Sequence, residues 1–150
     1  MRSALFALLL AYSVFANADQ LWAVGTVGSY HVENNGYCQF NPGVGVEYGG
    51  EKVRFVAGTY QNSLCYNSNY VGVSYAPLKL GNWKAGAALL GVTGYKTKVD
   101  KHTGKFSDDP AFAPLPFISY ERRHWGLNIL VIPPFDDFAG ALGFQAKFRF

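Results

Sequence analysis

The chain closes on Ala139-Gly140-Ala141-Leu142-Gly143-Phe144-Gln145-Ala146-Lys147-Phe148-Arg149-Phe150, and from Leu142 onward apolar and polar positions alternate without a break. Successive side chains of a β-strand point to opposite faces. Leu142, Phe144, Ala146, Phe148 and Phe150 therefore share one face, while Gly143, Gln145, Lys147 and Arg149 share the other. A soluble sheet can carry such a strand, so the rest of the chain decides what solvent the apolar face meets.

A closing strand of this kind, ending on an aromatic, resembles the C-terminal assembly signal of bacterial outer-membrane β-barrels. The other end of the chain agrees. Arg2 precedes an apolar stretch from Ala4 to Phe15, and Ala16-Asn17-Ala18 places small residues where a signal peptidase reads them. The expectation is a signal peptide over 1–18, cleaved before Asp19, and a single barrel domain over 19–150, located in the bacterial outer membrane. The early apolar stretch is too short for a membrane helix, and no later one is long enough, so any insertion must be as a barrel.

Eight strands are expected, at about 21–32, 43–49, 53–62, 69–78, 84–95, 114–121, 125–133 and 139–150. Their connections alternate in length. Gly49-Gly50-Glu51-Lys52, Leu80-Gly81-Asn82-Trp83 and Arg122-Arg123-His124 are tight, whereas the first, third, fifth and seventh strands run into longer segments. That rhythm predicts an all-β fold, an eight-stranded antiparallel up-and-down transmembrane β-barrel with short periplasmic turns, long outer loops and both termini periplasmic. Aromatics at 17% and 17 glycines suit aromatic girdles and close interior packing. The longest loop, Lys96 to Ala113, holds Lys96, Lys98, Lys101 and Lys105, a solvated run that is also able to meet lipopolysaccharide phosphates.

Val44, Val46 and Tyr48 alternate with Gly45 and Glu47, and Val71, Val73 and Tyr75 with Gly72 and Ser74. From Ala85 to Val92 and from Leu127 to Ile132 both faces are largely apolar, so some of Ala88, Leu90, Leu130 and Ile132 must point inward. The interior of an eight-stranded barrel either fills with side chains or holds one small ligand. An apolar plug and a slot for a hydrocarbon chain both satisfy the pattern. Proline removes a ladder donor, and a closed barrel has no free edge on which to hide one. Pro114 and Pro116 open the sixth strand and Pro133-Pro134 end the seventh, which points to a lateral gap at that seam; Pro42 opens the second strand and is read as a loop boundary.

Several function classes are excluded. Without Arg2 the mature chain carries 12 Lys and Arg against 10 Asp and Glu, too even a balance for nucleic acid. His31, His102 and His124 share no metal-ligand spacing with one another or with the cysteines, so no metal and no cofactor are expected. Cys38 and Cys65 fall in the loops after the first and third strands, and an oxidising compartment favours a disulfide between them.

Gly91-Val92-Thr93, Pro114-Leu115-Pro116, Ile132-Pro133-Pro134 and Phe144-Gln145-Ala146-Lys147-Phe148-Arg149-Phe150 together resemble the second half of the PagP family, the lipid A palmitoyltransferases of the outer membrane. A histidine near the outer end of the first strand matches His31, and the family's Asp-Ser pair falls on Asn62-Ser63. The resemblance implies an acyltransferase that moves a fatty acyl chain from a phospholipid donor to a lipid A acceptor, with membrane lipids as surroundings and the chain a monomer. Its catalytic candidates are Ser63 as the hydroxyl, His31 as the base and Asn62 in the acidic position. An amide there orients a hydroxyl or an imidazole but brings no charge to an imidazolium. Tyr30, Glu33, Asn34, Asn35 and Tyr60 are near enough in sequence to orient the pair. The resemblance also places the floor of the acyl slot at Ser74, whose bulk over glycine implies a chain shorter than palmitate. The alternative is a non-catalytic small barrel that binds lipid or a surface partner, in which His31 and Ser63 are ordinary loop-base residues.

Overall fold

The fold is seen in a computed structural model that describes residues 20–33, 36–95, 98–99, 106–107, 110–134 and 140–150. The expected signal peptide lies outside the described residues, as do Asn34, Asn35, Lys96, Lys101 and Lys105. Among the described residues the strands are β1 (Gln20–His31), β2 (Phe40–Gly49), β3 (Val53–Gln61), β4 (Asn67–Leu80), β5 (Trp83–Val92), β6 (Lys98–Val99), β7 (Phe106–Ser107), β8 (Ala111–Glu121), β9 (Trp125–Ile132) and β10 (Ala141–Arg149). Eight of them close into one antiparallel barrel in the order β1-β10-β9-β8-β5-β4-β3-β2, and β6 and β7 form a separate hairpin within the longest loop. The all-β barrel and its strand count are as the sequence predicts.

Closure rests on the last strand. β10 pairs with β1 from Trp22 opposite Arg149 to His31 opposite Ala141, with one irregularity between Thr26 and Gly28. The alternation then decides what each face meets. Leu142, Phe144 and Phe148 point outward and are exposed, while Gly143 and Lys147 are buried inside. The same holds around the wall, where Val44 and Val71 stand outward at 69% and 65% exposure. β4 carries Pro77 inside an irregularity between Tyr75 and Leu78, a bulge where a missing donor is tolerated.

The barrel interior has two halves. Toward the loop end, Val56, Ala88, Leu90, Val92 and Leu115 are buried together, with Tyr60, Tyr70, Tyr95, Phe117 and Ile132 packed on them. Ala88 and Leu90 thus face inward, as expected. Toward the turn end the filling is ionic. Arg54 donates to Glu47 at 3.1 Å and to Glu121 at 2.5 Å, and Lys147 lies 3.1 Å from Glu47 and 2.7 Å from Glu121. Lys84 reaches Glu121 at 2.8 Å. Trp22, fully buried, lies against this cluster, with Lys147 Nζ 5.0 Å and the Arg54 guanidinium 5.5 Å from its ring centroid. Charges this deep are tolerated only because each has partners.

The wall is weakest at one seam. β5 and β8 pair over the full run from Trp83 opposite Tyr120 to Val92 opposite Ala111, straight through Pro114 and Pro116. β8 and β9 pair only from Phe117 opposite Leu130 to Glu121 opposite Gly126. Alternate residues of a strand send their donors to alternate neighbours, so Pro114 and Pro116 remove donors from the same side. That side faces β9, where the described ladder stops short of both prolines.

Candidate active site

His31 and Ser63 come from different loop bases and meet. β1 ends on His31, whose ring is 2% exposed, and Ser63 lies two residues beyond the end of β3. His31 Nε2 is 2.8 Å from Ser63 Oγ, a hydrogen-bond distance, which is the arrangement an oxygen nucleophile and a nitrogen base would need. The His31 ring also stacks on Tyr37, with centroids 4.8 Å apart and planes 19° from parallel.

Two devices hold the loops in this register. Cys38 N–H donates to Ser63 C=O at 2.8 Å, fastening the β1–β2 loop to the serine's own backbone. The expected disulfide between Cys38 and Cys65 is formed, with Cα atoms 5.6 Å apart. The two clamps flank Ser63, so the serine has little freedom to swing away from the imidazole.

Asn62 is placed differently from His31 and Ser63. It is fully buried, and its side chain is spent on its own surroundings. Oδ1 accepts from Leu64 N–H at 2.9 Å and Tyr66 N–H at 3.0 Å, while Nδ2 donates to Ser68 Oγ at 3.0 Å and Gly94 C=O at 2.9 Å. The amide orientation is fixed by chemistry, since two backbone N–H groups demand an acceptor and a carbonyl demands a donor. The bond to Leu64 is the side-chain turn that Asn favours. Gly94, at φ +86°, packs its Cα against Asn67 C=O and Ser68 Oγ, where a side chain would collide. Asn62 thus shapes the loop that presents Ser63, with both donors and both acceptor sites in use.

Tyr95 is the residue that sequence reasoning missed. Its hydroxyl lies 3.0 Å from the Tyr60 hydroxyl, and it lines the same cavity as Ser63. Burial pushes the Tyr95 phenol above its ordinary value, against the smaller opposing effect of its polar neighbours Tyr60 and Ser63, so it stays protonated. A usable signal was present: Tyr95 follows the fifth strand, on the same end of the barrel as His31 and Ser63. Of the other expected orienting residues, Tyr60 joins this chain, whereas Tyr30 stands outward at the surface.

Below Ser63 lies a narrow cavity of about 80 Å³, lined by Tyr60, Tyr95, Val92, Leu115, Ile132 and neighbours. A second cavity of about 50 Å³ lies deeper, among the ionic residues. Tyr70, Leu90, Leu130 and Gln145 border both. Tyr70 extends its hydroxyl into the space left by Gly45 and Gly58, where a Cβ at either position would run into it. Ser74 lines only the deeper cavity, with its hydroxyl 3.5 Å from Arg54 C=O. Pro133 and Pro134 follow β9 directly and are exposed, on the strand whose ladder to β8 stops short of Pro116. Among the described residues no group of three or more His, Cys, Asp or Glu is arranged to hold a metal.

No protein-family model matches the chain, and no curated protein matches it. The barrel and the geometry at its loop end therefore carry the functional reading.

Proposed function

We propose that this chain is an outer-membrane acyltransferase that moves a fatty acyl chain from a phospholipid to lipid A. The observation that carries the reading is the 2.8 Å pairing of His31 Nε2 with Ser63 Oγ at the mouth of an apolar cavity inside a closed barrel. The outward apolar wall supports a place in a bilayer, where only a closed sheet leaves no backbone group unpaired. The loop end then faces the outer leaflet and both ends of the barrel strand run face the periplasm. In this reading the donor's acyl tail enters at the β8–β9 seam, between Pro114 and Pro116 on one side and Pro133 and Pro134 on the other. It lies against Val92, Leu115 and Ile132, and stops at Tyr70.

The chemistry follows from the three groups at the mouth. His31 takes the Ser63 proton as Oγ attacks the ester carbonyl, and returns it to the departing lysophospholipid oxygen. The acyl group, now on Ser63, is attacked by a lipid A hydroxyl whose proton passes through His31 back to Ser63 Oγ. Tyr95, a protonated phenol beside Ser63, donates to the carbonyl oxygen as negative charge develops on it.

Mass spectrometry of lipid A from cells expressing the chain tests this. The expected result is a mass gain of one acyl group, absent in Ser63→Ala and His31→Ala although both barrels remain heat-modifiable on gels. A correctly assembled wild-type barrel that leaves lipid A unchanged refutes the proposal.

A further inference from the structure

The turn end of the barrel holds a second polar site, independent of the acyl-transfer reading. Among the described residues, the Lys and Arg other than Lys98 gather at the turn end, where Glu47, Glu51 and Glu121 are the carboxylate side chains. Glu47 and Glu121 are consumed by Arg54, Lys84 and Lys147 in the buried cluster. Glu51 is held by Lys79 at 2.5 Å, and this bond, ahead of the other effects, keeps its carboxyl below the ordinary range.

That leaves Arg122, Arg123 and Arg149 with no carboxylate within 4.0 Å among the described residues. All three border one open cavity of about 180 Å³ that Lys79 and Lys84 also line, together with Glu51 and Glu121, the carboxylates those lysines and Arg54 hold. That volume is room for several waters, and so for a tetrahedral oxyanion. The Arg149 guanidinium is set in place 5.7 Å from the Trp22 ring centroid, and the Arg122 backbone is tied to Trp125 C=O at 2.8 Å. Just outside the same end, Trp83, Tyr120 and Trp125 pack in series, edge-to-face at 4.9 Å and tilted at 5.7 Å between centroids. Such an aromatic band sits at the level of lipid headgroups when a barrel spans a bilayer.

We propose that this turn-end mouth, built on Arg122, Arg123 and Arg149, binds a phosphate-bearing anion. Guanidinium forks pair bidentately with phosphate oxygens, and three of them around one cavity match a phosphodiester or a free polyphosphate better than a carboxylate. The two sources share this chemistry and separate by experiment. The full folded chain in zwitterionic micelles is titrated with inorganic pyrophosphate and, separately, with phosphatidylglycerol against phosphatidylcholine, by calorimetry and native mass spectrometry. The comparison variant is Arg122→Gln/Arg123→Gln, two exposed turn positions outside the barrel wall. Binding of phosphatidylglycerol but not pyrophosphate, weakened at least about tenfold in the variant, supports the site with a lipid headgroup as its ligand. Binding of pyrophosphate with the same loss supports it with a free phosphate. No preference for either probe over phosphatidylcholine, or equal binding by a folded variant, overturns it.

Discussion

Replacing Asn62 by Asp separates two accounts of the site. A carboxylate supplies the acidic residue that the sequence-based expectation puts at this position, and if residue 62 served to support a protonated His31, activity would hold or rise. The hydrogen bonds around Asn62 predict the opposite. Leu64 and Tyr66 N–H would still donate, now to a charged acceptor, and Ser68 can rotate its hydroxyl to donate as well. Gly94 C=O cannot adapt: at 2.9 Å it would face a second acceptor. Leaving that buried carbonyl unpaired costs about 1–3 kcal/mol. Keeping the new carboxyl protonated at neutral pH, so that it can donate to Gly94, means raising its pKa by roughly three units, about 4 kcal/mol. Strengthened bonds to Leu64 and Tyr66 return part of either cost. A net loss of about 1–3 kcal/mol is expected, concentrated in the loop that carries Ser63. Urea unfolding in micelles, amide exchange at Leu64 and Tyr66, and lipid A product mass read the three consequences: a lower midpoint, faster exchange and reduced acyl transfer. An Asn62→Asp barrel of wild-type stability with equal or higher activity would refute the reasoning.

Tyr70→Ala should join the two interior cavities and shift the preferred donor toward longer chains, whereas Ser74→Gly alone should leave it unchanged; competition between phospholipids of different chain length measures both, and a shift in Ser74→Gly alone would move the floor to Ser74. Cys38→Ser or Cys65→Ser opens a loop of 27-residue separation and should cost about 2–4 kcal/mol, seen as a lower unfolding midpoint, with slower acyl transfer as Ser63 loosens. Glu121→Gln leaves Arg54, Lys84 and Lys147 without their main shared counter-charge and should cost about 3–5 kcal/mol in the same unfolding assay. A midpoint unchanged by Glu121→Gln would mean that water or Glu47 already compensates the cations.

The period-two alternation of Leu142 to Phe150 was enough to assign each residue of β10 to a face, because side-chain direction along a strand is a local property of the backbone. The same logic, with turn residues and alternating loop lengths, located the eight barrel strands to within a few residues and placed Cys38 and Cys65 on loops at one end. His31 and Ser63 could be named in advance from a resemblance, each at the outer end of its strand. What local pattern could not supply is what faces what across the barrel. Arg54 meets Glu121 from 67 positions away, and Asn128 meets Glu47 from 81, because closure brings opposite walls within reach. Tyr95 meets Tyr60, Tyr70 borders both interior cavities, and Asn62 turns to Gly94 and Ser68 instead of serving as a free polar side chain. The Tyr60–Tyr95 and Asn62–Gly94 contacts join segments 35 and 32 positions apart. Strand periodicity fixes the direction in which a side chain leaves the wall, but its partner is set by registers and loop paths that exist only once the sheet has closed.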